Sequence, residues 1–429
     1  MAIDSMVGAA RGRMALLVAW YREMSGGQRQ TFLACYCGHA LDAMDTQLYS
    51  WVVPSLLSLW GLTKAEAGEI GTAALLASAI GGWGAGILAD RIGRVRTLQI
   101  TILWFATFSL LSGLAQDYAQ LFMARAMLGL GFGGETAVSA VLIGEVVAAK
   151  HRGKGAGLVQ SGWSLGSLLA AGVATGLFSI LPEEQAWRGI FFVGFLPAVL
   201  VLVIRRFLAE PVVAAESRMR LNARDEETHI LTIFAPPILK TTILAALVST
   251  GSLGGNCTLW IWLPTFLKTV RGLSVLNTGG FLVVMICGAF TGYVVGSYLT
   301  DRIGRRPHFL AFAVGSLIAV SVYTLVPINN TAMFFLGFPL GFFSSGIFAA
   351  IGAYFTELFP TPARGSGLGF AFNFGRGVGA TFPLLVGYLS TTMPLGNAIG
   401  VFAALAYAVL LSALLFLPET RGRELTAEI

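Results

Sequence analysis

The segment GHALDAMDTQLY, residues 38–49, brings ionisable side chains into a stretch that otherwise has the character of a membrane span. Each ionised side chain at the centre of such a span costs at least about 2.5 kcal/mol on insertion scales. A helix turns about 100° per residue, so five polar side chains project within an arc of roughly 120°: His39, Asp42, Asp45, Thr46 and Tyr49. We therefore expect this polar stripe to face a cavity near the membrane midplane. The alternative is that the aspartates are buried as structural partners of other helices.

Three further charged residues lie away from the ends of apolar segments, namely Arg125, Glu135 and Arg376. Together with Asp42 and Asp45 they make three acids facing two bases. An anionic substrate would worsen this imbalance unless a proton entered with it. Burial and a neighbouring carboxylate both favour the protonated form of a carboxyl group. We therefore predict that Asp42, Asp45 and, third in rank, Glu135 couple transport to protons, with no cofactor and no metal.

Arg376 is the predicted anion-binding residue, because a guanidinium offers two parallel donors that match a carboxylate. The alternative is that Arg376 neutralises Asp42 or Asp45 across the cavity. The other candidate substrate-binding residues are polar or aromatic side chains within apolar segments: Asn373, Arg125, Tyr49, Gln160, Trp163, Asn256 and Tyr354. Trp163 could stack on a planar substrate or simply pack against its neighbours.

The composition is that of a polytopic membrane protein. Of 429 residues, 55% are hydrophobic and 12% charged, against about 25% charged in soluble domains. Twelve apolar segments are long enough to cross a membrane: approximately 31–60, 66–89, 97–116, 119–148, 156–181, 187–208, 238–266, 275–299, 307–327, 331–356, 366–391 and 396–417.

The charges between these segments predict the topology. Lys and Arg in the connecting segments number 21 on one side of the membrane and four on the other. By the positive-inside rule both termini are predicted to be cytoplasmic, and the net charge of +6 reflects topology and anionic lipid rather than nucleic acid.

The two halves of the chain repeat each other. GAGILADRIGRVR (84–96) matches VGSYLTDRIGRRP (295–307), and the offset from Asp90 to Asp301 is 211 residues. GEVVAAKHRGKGAG (144–157) matches FTELFPTPARGSGLG (355–369), with an offset of 212 for the acidic residues. Two six-span halves related by an axis along the membrane normal describe a known transporter architecture.

The paired DRIGRVR and DRIGRRP loops resemble the signature loop of the major facilitator superfamily, and the resemblance covers essentially the whole chain. It implies an all-α membrane protein of 12 transmembrane helices in two pseudo-symmetric bundles. The expected division is an N-terminal segment (1–28), an N-terminal bundle (29–209), a central loop (210–235), a C-terminal bundle (236–417) and a tail (418–429). The loops and their acidic partners are expected to form a cytoplasmic latch: Asp90, Arg91, Gly93, Arg94, Glu145, Arg152, Asp301, Arg302, Gly304, Arg305, Glu357 and Arg364.

Three stretches narrow the resemblance. Asp42-x-x-Asp45 resembles the paired-aspartate motif of aromatic acid:proton symporters. ARAMLGLGFGGETAV and GFAFNFGRGVGATFP, around Glu135 and Arg376, are similar to sialate- and lactate-type metabolite:proton symporters. Thr136 departs from the metabolite branch, which has Trp there, so the substrate of that branch is not carried over.

These features predict a proton-coupled symporter that imports a small organic carboxylate, such as an aromatic acid or a short monocarboxylate, by alternating access. We expect a monomer in a bacterial inner membrane. The alternatives are an exporter or exchanger of organic anions or drugs, and a transporter-like sensor without turnover. An enzyme is not expected, because the chain has no metalloprotease, nucleophile-elbow or phosphate-loop motif.

Overall fold

The computed structural model describes residues 19–196, 231–273 and 275–425, with residues 198, 208, 210, 211 and 214–216. Within these residues the chain is helical and contains no β-strand. Much of the predicted N-terminal segment, the end of the sixth span, most of the central loop and the last four residues lie outside the described residues.

Among the described residues, the N-terminal half includes seven α-helices. They are α1 (Ala19–Glu23), α2 (Gly26–Leu59), α3 (Lys64–Ile92), α4 (Arg94–Leu114), α5 (Tyr118–Val146), α6 (Arg152–Ile180) and α7 (Glu183–Val193). Ser25 and Thr63 begin α2 and α3 with capping boxes, in which each hydroxyl accepts a backbone N–H three residues on.

Among the described residues, the C-terminal half includes eight α-helices. They are α8 (Pro236–Thr269), α9 (Val275–Ile303), α10 (Arg305–Leu325), α11 (Asn330–Gly346), α12 (Ile351–Leu358), α13 (Arg364–Gly379), α14 (Phe382–Leu389) and α15 (Leu395–Phe416). The tenth predicted span is divided into α11 and α12 by a 3₁₀ turn at Ile347–Ala349. The eleventh is divided into α13 and α14.

Nine helices among the described residues are long and apolar enough to cross a membrane. The other three predicted spans correspond to α2, α7 and the α13–α14 pair. Helix α2 carries the polar stripe, α7 is followed by residues outside the description, and α13 and α14 are each short. The all-helical, multi-pass character is confirmed, and the count of twelve stays a prediction.

The helix pairings are the same in the two halves. In the first, α2 packs against α6, α3 against α5, and α4 against α7. In the second, α8 packs against α13, α9 against α11, and α10 against α15. The halves meet where α3 packs against α13 and where α6 packs against α9. The space between these two contacts holds the cavity described below.

Both described ends of the chain lie at the same end of the bundle. Trp20 donates from Nε1 to the hydroxyl of Tyr298 at 3.1 Å, and Arg152 donates to the carbonyl of Arg423 at 2.9 Å. Tyr298 and Arg152 lie beside the second Asp-Arg-Ile-Gly-Arg loop, residues 301–305, so we call this the signature-loop end. That it faces the cytoplasm stays a prediction.

Glycine makes the contact between α3 and α13 possible. A methyl group on Gly86 would lie 2.2 Å from the carbonyl oxygen of Gly365, and one on Gly369 would lie 2.4 Å from that of Gly82. Small residues at such positions let two helix backbones approach closely. The contact therefore holds the halves together near the signature-loop end.

We predict that Gly86→Ala loosens this contact, since overpacking against a backbone typically costs about 1–3 kcal/mol. The backbone amides of the first turn of α13 should then exchange with deuterium about tenfold faster, as measured by mass spectrometry on the purified protein.

Gly84→Ala is the matched control, because a methyl group there would meet nothing within 4 Å. Unchanged exchange in Gly86→Ala would mean that the glycine contact does not limit opening at this end.

Candidate functional site

A cavity of about 240 Å³ lies between the two halves. Four predicted substrate-binding residues line it: Gln160, Trp163, Asn256 and Arg376. The sequence reasoning missed several other lining residues: Phe132, Thr136, Tyr293, Ser345, Phe348 and Phe372. Two of these, Phe132 and Phe372, lie within four residues of Glu135 and Arg376, so a search for aromatic neighbours of the charged positions would have found them.

Arg376 is held between two aromatic rings. Its guanidinium carbon lies 4.4 Å from the centroid of Phe132, on α5 of the other half, and 5.0 Å from that of Phe372. The residue is only 7% exposed, and Nη1 has no hydrogen-bond partner among the described residues. An oriented guanidinium with an unpaired nitrogen in a cavity has the chemistry to bind an anion.

Asp42 and Glu135 lie directly behind the cavity wall, next to each other. The hydroxyl of Thr136, which lines the cavity, donates to Oδ2 of Asp42 at 3.4 Å. The other oxygen of Asp42 and both oxygens of Glu135 have no hydrogen-bond partner among the described residues. Both side chains are almost fully buried. Arg376 interacts electrostatically with both carboxyls. Two adjacent buried carboxyls facing one guanidinium are electrically neutral when they share one proton.

His39, Asp42 and Glu135 also present atoms that could ligate a cation, all within 4.8 Å of one another. The guanidinium of Arg376 opposes a metal ion there, because it already supplies positive charge to the same carboxyls. His39 lines the cavity, and its ring lies 5.8 Å from that of Trp163. That the chain uses a proton and no metal stays a prediction.

Asp45 points away from the cavity, into the interior of the N-terminal half. It pairs with Nη1 of Arg125 at 3.3 Å and accepts a hydrogen bond from Ser109. Arg125 also lies over the ring of Tyr49, at 5.1 Å, and the Tyr49 hydroxyl donates to the carbonyl of Ala67. The expectation that Asp45, Tyr49 and Arg125 belong to the cavity therefore needs correction: they form a closed ion-pair cluster within one half.

The polar stripe of α2 is thus divided between two environments. His39 and Thr46 face the cavity, as does Gln47. Asp42 lies between the two environments, and Asp45 is turned about 120° from His39. The predicted polar arc of about 120° on α2 is wide enough for one edge to face the cavity and the other to face the packed interior of the N-terminal half.

Asn373 and Tyr354 do not line the cavity either. The amide of Asn373 donates to the carbonyls of Gly369 and Gly133, at 3.0 and 3.4 Å, and so joins α13 to α5. The hydroxyl of Tyr354 donates to the carbonyl of Pro418 at 2.8 Å, at the signature-loop end. Both side chains are committed to packing between segments, which corrects their expected place in the substrate site.

At the signature-loop end, each signature aspartate binds the start of a helix in the opposite half. Asp90 accepts from the backbone amides of Gly365 and Ser366, at 3.1 and 2.8 Å. Asp301 accepts from those of Gly153 and Lys154, at 2.8 and 2.9 Å. These amides belong to the first turns of α13 and α6, which lack partners within their own helices and attract negative charge.

Two buried glutamates complete these contacts. Glu145 binds Arg94 of its own half at 3.2 Å and Arg364 of the other half at 2.7 Å. Glu357 likewise binds Arg305 at 2.8 Å and Arg152 of the other half at 2.9 Å. The predicted latch residues Arg91 and Arg302 lie exposed in the last turns of α3 and α9. Gly93 and Gly304 have φ angles of 107° and 104°, which a side chain would strain.

The sequence reasoning missed a third pair of repeated acids. Glu210 accepts from the backbone amides of Arg94 and Val95, at the start of α4, and Glu419 does the same at the start of α10. Burial raises the pKa of the Glu419 carboxyl, but four backbone donors outweigh it and leave this pKa below the usual value. The shared FLxE pattern at residues 207–210 and 416–419 was the available signal.

Two repeated helical halves around a central cavity, joined at one end by ion pairs between the halves, define a multi-pass membrane carrier. The chain belongs to the Major Facilitator Superfamily, whose family model matches residues 35–307 and 281–428. The resemblance inferred from the signature loops is confirmed, and this is a family of transporters rather than enzymes.

Named relatives match over nearly the full chain. A probable 4-methylmuconolactone transporter of Cupriavidus pinatubonensis is 44% identical over 95% of this chain and 94% of its own. The cis,cis-muconate transport protein of Acinetobacter baylyi is 27% identical over 90% of this chain and 94% of its own. Among solved structures, the proton:xylose symporter XylE bound to 6-bromo-6-deoxy-D-glucose matches 93% of this chain and 97% of its own, with a TM-score of 0.76 and 20% identity. That likeness concerns the fold.

We predict that Asp45→Asn destabilises the protein, because it leaves the Arg125 guanidinium buried without its partner. The free energy of unfolding should fall by about 3 kcal/mol, as measured by thermal or denaturant unfolding in detergent.

The double variant Asp45→Asn/Arg125→Gln removes both charges and should recover much of that loss. Asp42→Asn, which leaves no cation without a partner, should have a smaller effect than Asp45→Asn. If the Asp45→Asn protein is fully stable but no longer couples transport to protons, the structural interpretation is contradicted and Asp45 is a proton-coupling residue.

Proposed function

We propose that the chain is a proton-coupled symporter that takes up a small organic carboxylate across a bacterial inner membrane. The observation that carries this proposal is the unpaired guanidinium of Arg376, held between Phe132 and Phe372 in the cavity. The named functions of the relatives, which include a probable muconolactone transporter and a muconate transport protein, support an organic acid as the substrate.

The aromatic lining favours a planar or apolar substrate body. Phe132, Phe372, Trp163 and Phe348 come from both halves and surround the same cavity. The cavity volume of about 240 Å³ is below the range of about 300–1,000 Å³ typical of sites for drug-sized ligands. A small acid with one ring fits these bounds.

Charge balance supplies a reason for proton coupling. Asp45 and Arg125 neutralise each other, which leaves Asp42 and Glu135 with Arg376. One shared proton makes this group of three neutral. When a substrate carboxylate binds Arg376, neutrality requires a second proton on the Asp42–Glu135 pair. We infer that one proton enters with each monoanionic substrate, without any cofactor.

The contacts at the signature-loop end fit the role of a gate in alternating access. Asp90 and Asp301 bind backbone amides across the interface, and Glu145 and Glu357 each hold an arginine of the other half. These bonds would have to break for the cavity to open at this end. If this end is cytoplasmic, release of substrate into the cell follows that opening.

We predict that Arg376→Lys weakens substrate binding at least about tenfold, because an ammonium cannot make the same two-point contact and a charge-assisted hydrogen bond contributes about 1.5–3 kcal/mol. The measurement is equilibrium binding of an acid that stabilises the parent protein in a thermal-shift screen. Arg421→Lys, the same exchange on the exposed tail, is the control. Parental affinity in Arg376→Lys would exclude Arg376 as the anion site.

We predict that Asp42→Asn and Glu135→Gln uncouple transport, since each mimics a protonated carboxyl that cannot release its proton. Both variants should still exchange labelled for unlabelled substrate in proteoliposomes, but they should lose accumulation driven by a pH gradient.

Asp117→Asn is the matched control for this experiment. Asp117 is an exposed residue that begins α5, and Asn serves equally well at that position. If Asp42→Asn and Glu135→Gln both accumulate substrate like the parent protein, the coupling proton is carried elsewhere.

A further inference from the structure

The charged side chains at the cavity are gathered at one end. Among the residues that line it, all within the described part of the chain, Arg376 is the permanent cation and no acid is present. His39, which could acquire a charge, lies within 4.8 Å of the ligand-capable atoms of Asp42 and Glu135, the carboxyls that Arg376 attracts. The lining residues therefore place no cation away from this end of the cavity.

The opposite end of the cavity is polar but neutral. Arg376 lies on α13, which packs against α3, whereas Tyr293 lies on α9, which packs against α6. These two helix pairs form the two sides of the interface between the halves. Tyr293 and Arg376 therefore approach the cavity from opposite sides.

A hydroxyl group lies beside Tyr293, and two amide groups line the same cavity. Ser345, at the end of α11, is the neighbour of Tyr293, and Gln160 lines the cavity from α6. Asn256 donates to the carbonyl of Ser344 at 3.2 Å, where the helix gives way to a 3₁₀ turn, and this bond fixes the orientation of its amide. These groups can donate and accept hydrogen bonds, but they cannot neutralise a carboxylate.

We propose that the substrate is a monocarboxylate with a neutral hydrogen-bonding group at its far end, and that Tyr293 and Ser345 select that group. The site should disfavour a dicarboxylate, including the muconate for which a relative 27% identical to this chain is named, because its second charge would be buried without a cation, which is strongly unfavourable. This inference rests on the proposed function, in which Arg376 holds the first carboxylate.

The test compares three probes that differ only at the ring position opposite the carboxylate: benzoate, 4-hydroxybenzoate and benzene-1,4-dicarboxylate. Their binding to the purified full-length protein is measured by isothermal titration calorimetry at neutral pH. We expect 4-hydroxybenzoate to bind about 3–10-fold more tightly than benzoate, as one additional hydrogen bond would give. The dicarboxylate should bind at least about 100-fold more weakly than 4-hydroxybenzoate.

Tyr293→Phe should reduce the affinity ratio between 4-hydroxybenzoate and benzoate to about one. Ser345→Ala should reduce the same affinity ratio, and it provides the test if Tyr293→Phe does not fold. Tyr407→Phe is the matched control, because Tyr407 is buried on α15 of the same half and does not line the cavity. This control should keep the parental ratio.

The outcomes separate the two levels of the proposal. If none of the three probes binds, the inference is overturned, whereas the proposed function is decided separately by the Arg376→Lys binding measurement with the acid found in the thermal-shift screen. If benzoate binds but the dicarboxylate binds as tightly as 4-hydroxybenzoate, the proposed function stands and the selection by charge is overturned. An unchanged affinity ratio in both Tyr293→Phe and Ser345→Ala would overturn the role of these two residues.

Discussion

Neutralisation of buried charge is the constraint on which the other features depend. Asp45 and Arg125 satisfy it within one half, and the signature-loop end satisfies it with ion pairs between the halves. The group formed by Asp42, Glu135 and Arg376 leaves the Arg376 guanidinium open to the cavity. An arginine in this position is costly unless a ligand or a neighbouring carboxylate pairs with it. Under the proposed function, the free-energy cost of this buried charge in the empty protein is what makes the site selective for an anion.

Two helices connect this site to the signature-loop end. Helix α5 carries Glu135 beside the cavity and Glu145 ten residues further on. Helix α13 carries Arg364 at its start and Arg376 near its end. The two helices contact each other both at the signature-loop end, where Arg364 binds Glu145, and at the cavity, where Arg376 lies over Phe132. A change in charge or packing at Arg376 therefore acts on the same pair of rigid elements that hold the signature-loop end together.

Much of this arrangement was predictable from local sequence. Long apolar segments identify membrane helices because a bilayer requires internal backbone hydrogen bonding over about 20 residues. The repeated segments identified Asp90, Asp301 and the two glutamates Glu145 and Glu357, since both copies keep the same residue types at the same spacing. Rare ionisable residues inside apolar segments pointed to Asp42, Glu135 and Arg376. The third repeated pair, Glu210 and Glu419, was also visible in the sequence but was not recognised.

The sequence by itself determined which helices form and which residues are too polar to face lipid. Only the tertiary structure decided which neighbour each of those residues meets. Asp42 and Asp45 are three positions apart on one helix, and a rotation of about 60° separates them, yet one meets Glu135 and the other meets Arg125. Tyr293 and Ser345 have no sequence signal of their own, because the cavity they line is formed by helices that converge from distant parts of the chain. Helical periodicity specifies in which direction a side chain projects from its own helix axis. A binding site depends on how the axes of several helices are placed relative to one another.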